Sequence, residues 1–140
     1  MKAIRIEPHN IRRYWPHVMP LLKKATALSP GKVVVADILS QAEEGGLGVW
    51  AVVDARENAI LAAFTTRVAI YPRSRALAVD FMGGGRMKEW IGIVDETLSD
   101  HARELGCTRL EGFGRDAWGR VLKGHGWGVS HVTYEKELDK

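Results

Sequence analysis

Hydrophobic residues recur along the chain with two different periods, and the changes between them predict the order of the elements. Between residues 11 and 28 they recur every three or four positions, which is typical of one face of a helix. Pro16 and Pro20 lie inside this stretch, so the helix either starts late or is kinked. Elsewhere, short valine-rich runs bounded by turn residues indicate strands. The pattern predicts strands over 3–7, 49–54, 60–69, 76–82, 108–113 and 129–138, and helices over 11–28, 36–44, 87–105 and 116–123.

The predicted order, β-α-α-β-β-β-α-β-α-β, indicates one α/β domain over residues 1–140 with a mixed sheet. Strands 76–82 and 108–113 are joined through a helix of five turns, so they must lie parallel with a right-handed crossover. The earlier strands are joined by short polar turns and should pair antiparallel. No linker or internal repeat interrupts the chain. We therefore expect a mixed α/β fold with helices on both faces of the sheet.

Composition limits the possible compartments and partners of the protein more than it limits its possible chemistry. The net charge is +3, and the positive residues are scattered rather than gathered into a basic stripe, which disfavours nucleic acid as a partner. No run approaches the roughly 20 apolar residues that cross a bilayer. The single cysteine, Cys107, excludes an internal disulfide and favours a reducing compartment, so the sequence predicts a cytoplasmic protein.

Three consecutive glycines, Gly83 to Gly85, join a predicted strand to the longest predicted helix. The start of a helix leaves main-chain N–H groups unpaired, and glycines let an anion approach them closely. Arg86 and Lys88 would add positive charge beside such a site. The loop therefore predicts a phosphate site, with a tight strand-to-helix turn of no further function as the alternative.

The element order, the loop 82–87 and the pair Gly126-Trp127 together resemble the GNAT superfamily of N-acyltransferases over nearly the whole chain. This resemblance implies transfer of an acetyl group from acetyl-CoA to an amine. The arginine follows the glycines here, whereas the family loop places a basic or amide residue before them. Family positions that bind the pantetheine arm correspond to Phe81 and Met82, and those that bind the pyrophosphate correspond to Gly83, Gly84, Gly85, Arg86 and Met87. Arg115 is expected to contact the nucleotide end of the coenzyme, with a solvated helix face as the alternative.

Acetyl transfer to an amine requires a general base and a group that protonates or stabilises the departing thiolate. Asp80 and Glu111, on the fourth and fifth predicted strands, are the candidate bases, and a solvent-facing position on a strand is the alternative for each. Leu122 stands where many GNAT proteins carry a tyrosine acid, and a leucine cannot donate a proton. Tyr134 is the candidate replacement, with a half-buried sheet position as its alternative.

A second resemblance, at 87–90, 106–107 and 114–120, is to a GNAT-like subgroup encoded by tailed bacteriophages. It adds a second hypothesis, an inactive GNAT-like structural or interaction protein in a virion. Expected partners are a small-molecule or protein amine, a second copy of the chain, or virion proteins. His125 and His131 have no metal-ligand spacing with Cys107, so no metal is expected. Trp90 and Trp118 fall at helical positions typical of a core.

Overall fold

A computed structural model of the chain describes residues 1–28, 31–114 and 116–139. A 3-10 turn over Pro8–Asn10 follows the first strand and leads into the first helix. The strands are β1 (Lys2–Ile6), β2 (Gly48–Asp54), β3 (Ala59–Ile70), β4 (Arg75–Gly84) and β5 (Arg109–Gly112), and the helices are α1 (Ile11–Thr26), α2 (Val35–Glu43), α3 (Met87–Glu104) and α4 (Asp116–Lys123).

The five strands form one mixed sheet in the order β1-β2-β3-β4-β5. The pairs from β1 to β4 are antiparallel, and β4 and β5 are parallel. Helix α3 makes the crossover between these two parallel strands, as the length of its apolar pattern predicts. The predicted mixed α/β fold is therefore confirmed.

Each face of the sheet is covered by a separate layer of buried side chains. On one face, α3 contributes Trp90, Val94 and Leu98, which pack against residues of β2, β3 and β4. On the other face, α1 and α2 cover the alternate residues of β2 and β3 with a second set, including Ile11, Val18, Leu22, Ile38 and Ala42. We call these the α3 face and the α1 face.

Helix α1 runs as one helix from Ile11 to Thr26, with Pro16 and Pro20 inside it. Of the two alternatives, a late start or a kink, the late start is therefore wrong. The helix also ends two residues earlier than the pattern predicts, where the Thr26 hydroxyl donates a hydrogen bond to the Lys23 carbonyl oxygen at 3.0 Å.

The strand predicted over 129–138 is wrong. Residues 128–139 form neither strand nor helix, and all of them are exposed. Alternation determines which side chains share a face, but a strand also needs a hydrogen-bonded neighbour. This segment instead passes the connection between α1 and α2, where the Glu135 carboxylate pairs with the Lys32 amine. Strand β5 therefore lies at the edge of the sheet.

Candidate active site

Strands β4 and β5 separate at their carboxyl ends, and this separation creates a cleft. They are in register from Ala76 beside Arg109 to Val79 beside Gly112. The last hydrogen bond described between them runs from the Phe113 N–H to the Val79 carbonyl oxygen, at 3.2 Å. Beyond this point β4 continues along β3, whereas β5 has ended. A cavity of about 280 Å³ opens at the separation, lined by Ala25, Leu28, Asp80, Phe81, Met82, Phe113, Gly114 and Trp118.

A β-bulge lies in β4 at the mouth of this cavity. Met82 pairs with Phe64 and Val79 pairs with Thr66, so two residues of β4 stand opposite the single residue Thr65 of β3. The extra residue bends the strand and interrupts its alternation. Accordingly, Phe81 packs with the α1 face and Met82 with the α3 face. The bulge thus leaves β4 with irregular main-chain pairing beside the cavity.

The first two glycines of the loop are required by packing. A Cβ on Gly83 would lie 2.0 Å from the Leu21 carbonyl oxygen of α1, and one on Gly84 would lie 2.4 Å from the Leu61 carbonyl oxygen of β3. Gly84 also has φ +144, in the region that favours glycine. A Cβ on Gly85 would meet nothing within 4 Å, although its N–H already donates to Leu61 at 3.3 Å. The Gly85 N–H is thus engaged, and free main-chain donors are expected in the first turn of α3.

Arg86 precedes α3 in the left-handed region, at φ 61, and its side chain is held by carboxylates. The guanidinium donates to both Glu89 oxygens, at 2.6 and 3.0 Å, and to Glu57 at 2.8 Å. The hydrogen bond to Glu89 is the largest cause of the raised pKa of Arg86, and the bond to Glu57 is the next largest. The bond between Arg86 and Glu89 also lowers the pKa of Glu89. One positive charge thus faces two negative ones, while Lys88 beside it is exposed.

Asp80 lines the cavity and is half-buried. Both of its carboxylate oxygens accept hydrogen bonds from Arg67 of β3, from Nε at 2.5 Å and from Nη2 at 3.1 Å. The bond to Asp80 is the largest cause of the raised pKa of Arg67. The carboxylate therefore has a fixed orientation, with a permanent cation beside it.

Glu111 lies across β4 from Arg67, because Ala78 pairs with both residues. Its carboxylate accepts a hydrogen bond from the Tyr71 hydroxyl at 2.7 Å, and this bond is the largest cause of the raised pKa of Tyr71. Asp80, two positions beyond Ala78, also contacts Arg67. Strands β3, β4 and β5 and the turn after β3 thus place a polar cluster next to the cavity: Arg67, Tyr71, Asp80 and Glu111.

Comparison with known proteins gives a fold but no close relative. No protein-family model and no curated protein matches the chain. Among solved structures, a probable acetyltransferase aligns with 100% of this chain and 99% of its own, at a TM-score of 0.72 and 11% identity. A glucosamine-6-phosphate N-acetyltransferase from Arabidopsis thaliana aligns with 99% of this chain and 98% of its own, at a TM-score of 0.65 and 17% identity. An aminoglycoside acetyltransferase from an uncultured soil metagenomic sample aligns with 99% of this chain and 96% of its own, at a TM-score of 0.68 and 11% identity.

The chain has the GNAT acetyltransferase fold. In this GNAT fold the separation of β4 and β5, the bulge and the glycine loop occupy the segments in which the sequence predicts the site. The structure brings Asp80, Phe81 and Met82 together at the cavity and places Glu111 nearby. Gly83, Gly84, Gly85, Arg86 and Met87 follow as the end of β4 and the start of α3. Arg115 lies outside the described residues.

Tyr134 is not among the residues lining the cavity. Its side chain is 91% exposed, in the segment that was predicted as a strand. Leu122 is half-buried and packs against the α3 face. Neither position brings a hydroxyl to the cavity, and the tyrosine nearest to the candidate bases is Tyr71, through Glu111.

Sequence reasoning missed Arg67, Tyr71 and Glu57, which determine the surroundings of the predicted residues. The sequence does mark Arg67 as unusual, because it is the one charged residue in the run 60–69. The core prediction is confirmed for Trp90, which is 1% exposed and donates from its indole N–H to the Gly85 carbonyl oxygen at 2.7 Å. It is wrong for Trp118, which is half-exposed and lines the cavity.

Two other kinds of site have no counterpart in the described ranges. Residues 1–28, 31–114 and 116–139 contain no group of three metal-ligating side chains placed to hold an ion. Within the same ranges, no helix has the length and apolar character needed to cross a bilayer.

Proposed function

We propose that this chain is an N-acyltransferase that moves an acetyl group from acetyl-CoA to an amine. The observation that carries the proposal is the cleft between β4 and β5, with a bulge at its mouth and a glycine loop leading into α3. A separated pair of parallel strands exposes main-chain groups that a sheet normally pairs, and such groups can bind an extended polar arm. The full-length similarity to acetyltransferase structures supports the same reading.

The residues at the cleft suit the two ends of acetyl-CoA unequally. An apolar lining with one carboxylate suits the thioester end, for which Phe81 and Met82 would supply main-chain groups. At the other end, the first-turn amides of α3, beginning at Met87, would hold the diphosphate together with Lys88. Arg86 is engaged by Glu57 and Glu89, so its contribution requires at least one of these ion pairs to open.

Acetyl-CoA would supply the activated acetyl group, and this chain's residues would manage protons and charge. Asp80 is the proposed general base, because it lines the cavity and Arg67 fixes its orientation. A main-chain N–H at the bulge would donate to an oxygen that gains negative charge. Glu111, hydrogen-bonded to Tyr71, is placed to pass a proton onward from the cluster. The departing coenzyme A thiolate would take its proton from water, or from Tyr134 if the segment after Trp127 brings that hydroxyl to the cavity.

A second candidate is an inactive GNAT-like protein with a structural or interaction role, including one in a bacteriophage virion. It is favoured by Leu122 at the position of the usual acid and by the two carboxylates on Arg86. The two proposals differ in location, the cytoplasm for the enzyme and the virion for the structural protein.

Calorimetry with coenzyme A tests the cofactor site. We expect binding at micromolar to sub-millimolar concentration, and no binding at 1 mM, a limit of about −4 kcal/mol, would contradict both the site and the enzyme. Gly85→Glu should weaken binding at least tenfold by placing a carboxylate beside the diphosphate. Gly85→Gln is the matched neutral control, and a Cβ at this position meets nothing within 4 Å. Equal effects of the two substitutions would place the diphosphate elsewhere.

Release of free thiol from acetyl-CoA, measured against a panel of amines, tests the chemistry. Asp80→Asn should lower kcat by about 10²–10⁴-fold, the usual contribution of a general base, and leave the Kd for coenzyme A unchanged. A kcat within twofold of the unchanged protein would remove Asp80 from the mechanism. Coenzyme A binding without thiol release for any amine would favour the inactive candidate.

A further inference from the structure

Three buried alanines of β3 and β4 belong to neither of the two cores. Ala76 and Ala78 are fully buried and Ala69 is 8% exposed, but none of the three is among the core side chains of the α1 face or the α3 face. Ala78 lies between two charged residues, with Arg67 beside it in β3 and Glu111 beside it in β5. Paired residues of neighbouring strands direct their side chains to the same face of a sheet. This part of the sheet therefore has a floor of small side chains and walls of charged ones.

Arg67 and Asp80 present a positive and a negative charge side by side where this floor meets the cavity. The Asp80 carboxylate, which lines the cavity, accepts hydrogen bonds from Arg67 Nε at 2.5 Å and from Nη2 at 3.1 Å. A guanidinium has five N–H donors, and Nη1 donates to none of the residues that the structure describes. The Arg67 side chain is also 41% exposed. The pair can therefore bind one more anionic group without losing its own contact.

An α-amino acid carries the two charges that complement this pair. Its ammonium and its carboxylate are attached to one carbon atom, so both can contact neighbouring partners at the same time. The ammonium suits Asp80, and the planar carboxylate suits the remaining N–H groups of Arg67. An amine without an anionic group would gain nothing from Arg67, because the guanidinium charge would lie beside its own.

A polyamine fits this cluster less well than an amino acid does. Each ammonium of a polyamine needs a carboxylate, and Asp80 already faces a permanent cation. In the described part of the chain, Glu111 is the one carboxylate of the cluster that forms no ion pair, and it accepts a hydrogen bond from Tyr71 at 2.7 Å. The charges beside the cavity thus favour an acceptor with one ammonium and one anionic group.

We propose that the acceptor is a free α-amino acid, with its ammonium at Asp80 and its carboxylate at Arg67. This assignment rests on the proposed acetyl transfer and names its acceptor. Asp80 takes one proton from the ammonium, and the neutral nitrogen forms a bond to the acetyl carbonyl carbon. The carbon–sulfur bond breaks with its electron pair on sulfur, and the second proton of the nitrogen reaches that sulfur through water. The products are an N-acetylated amino acid and coenzyme A, and Arg67 determines the specificity.

Thiol release from acetyl-CoA with the common L-amino acids, their α-amides and spermidine tests this acceptor. At least one amino acid should have a kcat/KM ten times that of its amide. A neighbouring carboxylate favours the protonated form of an amine, so a preference for the acid cannot come from the basicity of the amine. Thiol release that is fastest with spermidine, or with the amides, would overturn the acceptor and leave the acetyl transfer standing. No thiol release with any amine contradicts the proposed function and the acceptor with it.

The preference for acid over amide in variants tests the role of Arg67. Arg67→Gln should lower the ratio of the two kcat/KM values at least tenfold, mainly by raising KM for the acid. Loss of the orientation of Asp80 would lower kcat for both substrates and leave this ratio unchanged. Arg67→Lys keeps the charge and should retain more of the ratio than Arg67→Gln.

Arg109→Gln is the matched control for the loss of one positive charge. Arg109 pairs with Ala76, four residues before Asp80 in β4, which is roughly 13 Å along a strand. An α-carboxylate bound beside Asp80 cannot reach that far, so the ratio should stay within twofold. A ratio that is unchanged in Arg67→Gln, or that falls equally in Arg109→Gln, would show that Arg67 does not bind the carboxylate.

Discussion

Gly83 and Gly85 lie two positions apart in one loop, yet the structure requires only the first to be a glycine. The space at Gly83 is taken by the main chain of α1, whereas a Cβ on Gly85 would meet nothing within 4 Å. A glycine run in a sequence does not reveal which member is constrained, because the constraint is imposed by a segment about sixty residues away. Substitution at each position distinguishes the two roles.

Gly83→Ala should lower the free energy of unfolding by about 1–3 kcal/mol or more, the usual cost of overpacking. The clash is with a carbonyl oxygen of a helix, which cannot rotate away as a flexible side chain can. Gly85→Ala should change the stability by no more than about 0.5 kcal/mol, as for other exposed positions. Urea denaturation of both variants measures the difference, and equal losses would mean that the loop does not contact α1 in this way.

At the level of the element, the start of α3 is stabilised by a local ion pair. Arg86 and Glu89 flank the first turn, and their bond lowers the pKa of Glu89 below its ordinary value of 4.5. A carboxyl whose pKa is lower in the folded state favours folding while it is ionised. Its contribution is complete above pH 4.5 and is lost as the pH falls through the lowered value.

Thermal melting of the protein and of Glu89→Gln, from pH 7 down to pH 3, checks this sign. At pH 7 the unchanged protein should melt at a higher temperature than the variant, and this difference in melting temperature should disappear below pH 4.5. The difference should be small because both side chains are largely exposed, at 41% and 47%. Glu96→Gln, on the exposed side of α3, is the control. A difference that widens in acid would contradict the assignment.

Element periodicity was sufficient to predict most of the fold. The helical spacing in 87–105 gives α3 nearly to the residue, and with it the parallel pair β4 and β5. Segment 129–138 shows where this reasoning fails, since its alternation is real but the pairing partner depends on tertiary structure. Asp80 was found because it precedes the loop, whereas its partner Arg67 was not, because the register of β3 against β4 is not readable from either strand alone.

At the scale of the whole molecule, two cores share a single sheet. Leu22 belongs to the α1 face and Leu98 to the α3 face, and each is at most 1% exposed. Strands β2 and β3 contribute alternate residues to both cores. Loss of either core therefore removes support from the same strands, and the two cores should unfold together.

Leu22→Ala and Leu98→Ala should each lower the free energy of unfolding by about 2–5 kcal/mol. In each variant, the urea transitions followed by tryptophan fluorescence and by circular dichroism should coincide. Trp50 and Trp90 lie on the α3 face and Trp15 packs with the α1 face, so tryptophan fluorescence follows both cores. Two separate transitions in the Leu22→Ala variant would show that α1 unfolds independently.

The bulge in β4 also determines which face of the sheet each later residue of the strand meets. One additional residue at Asp80 and Phe81 reverses inside and outside for everything that follows, which is how Met82 comes to pack with the α3 face and Gly83 to lie beneath α1. An uninterrupted alternation from Val79 onward would instead turn Met82 toward α1, where a glycine now allows the helix to approach. The spare residue beside the cleft is thus also what lets the first helix rest against the sheet.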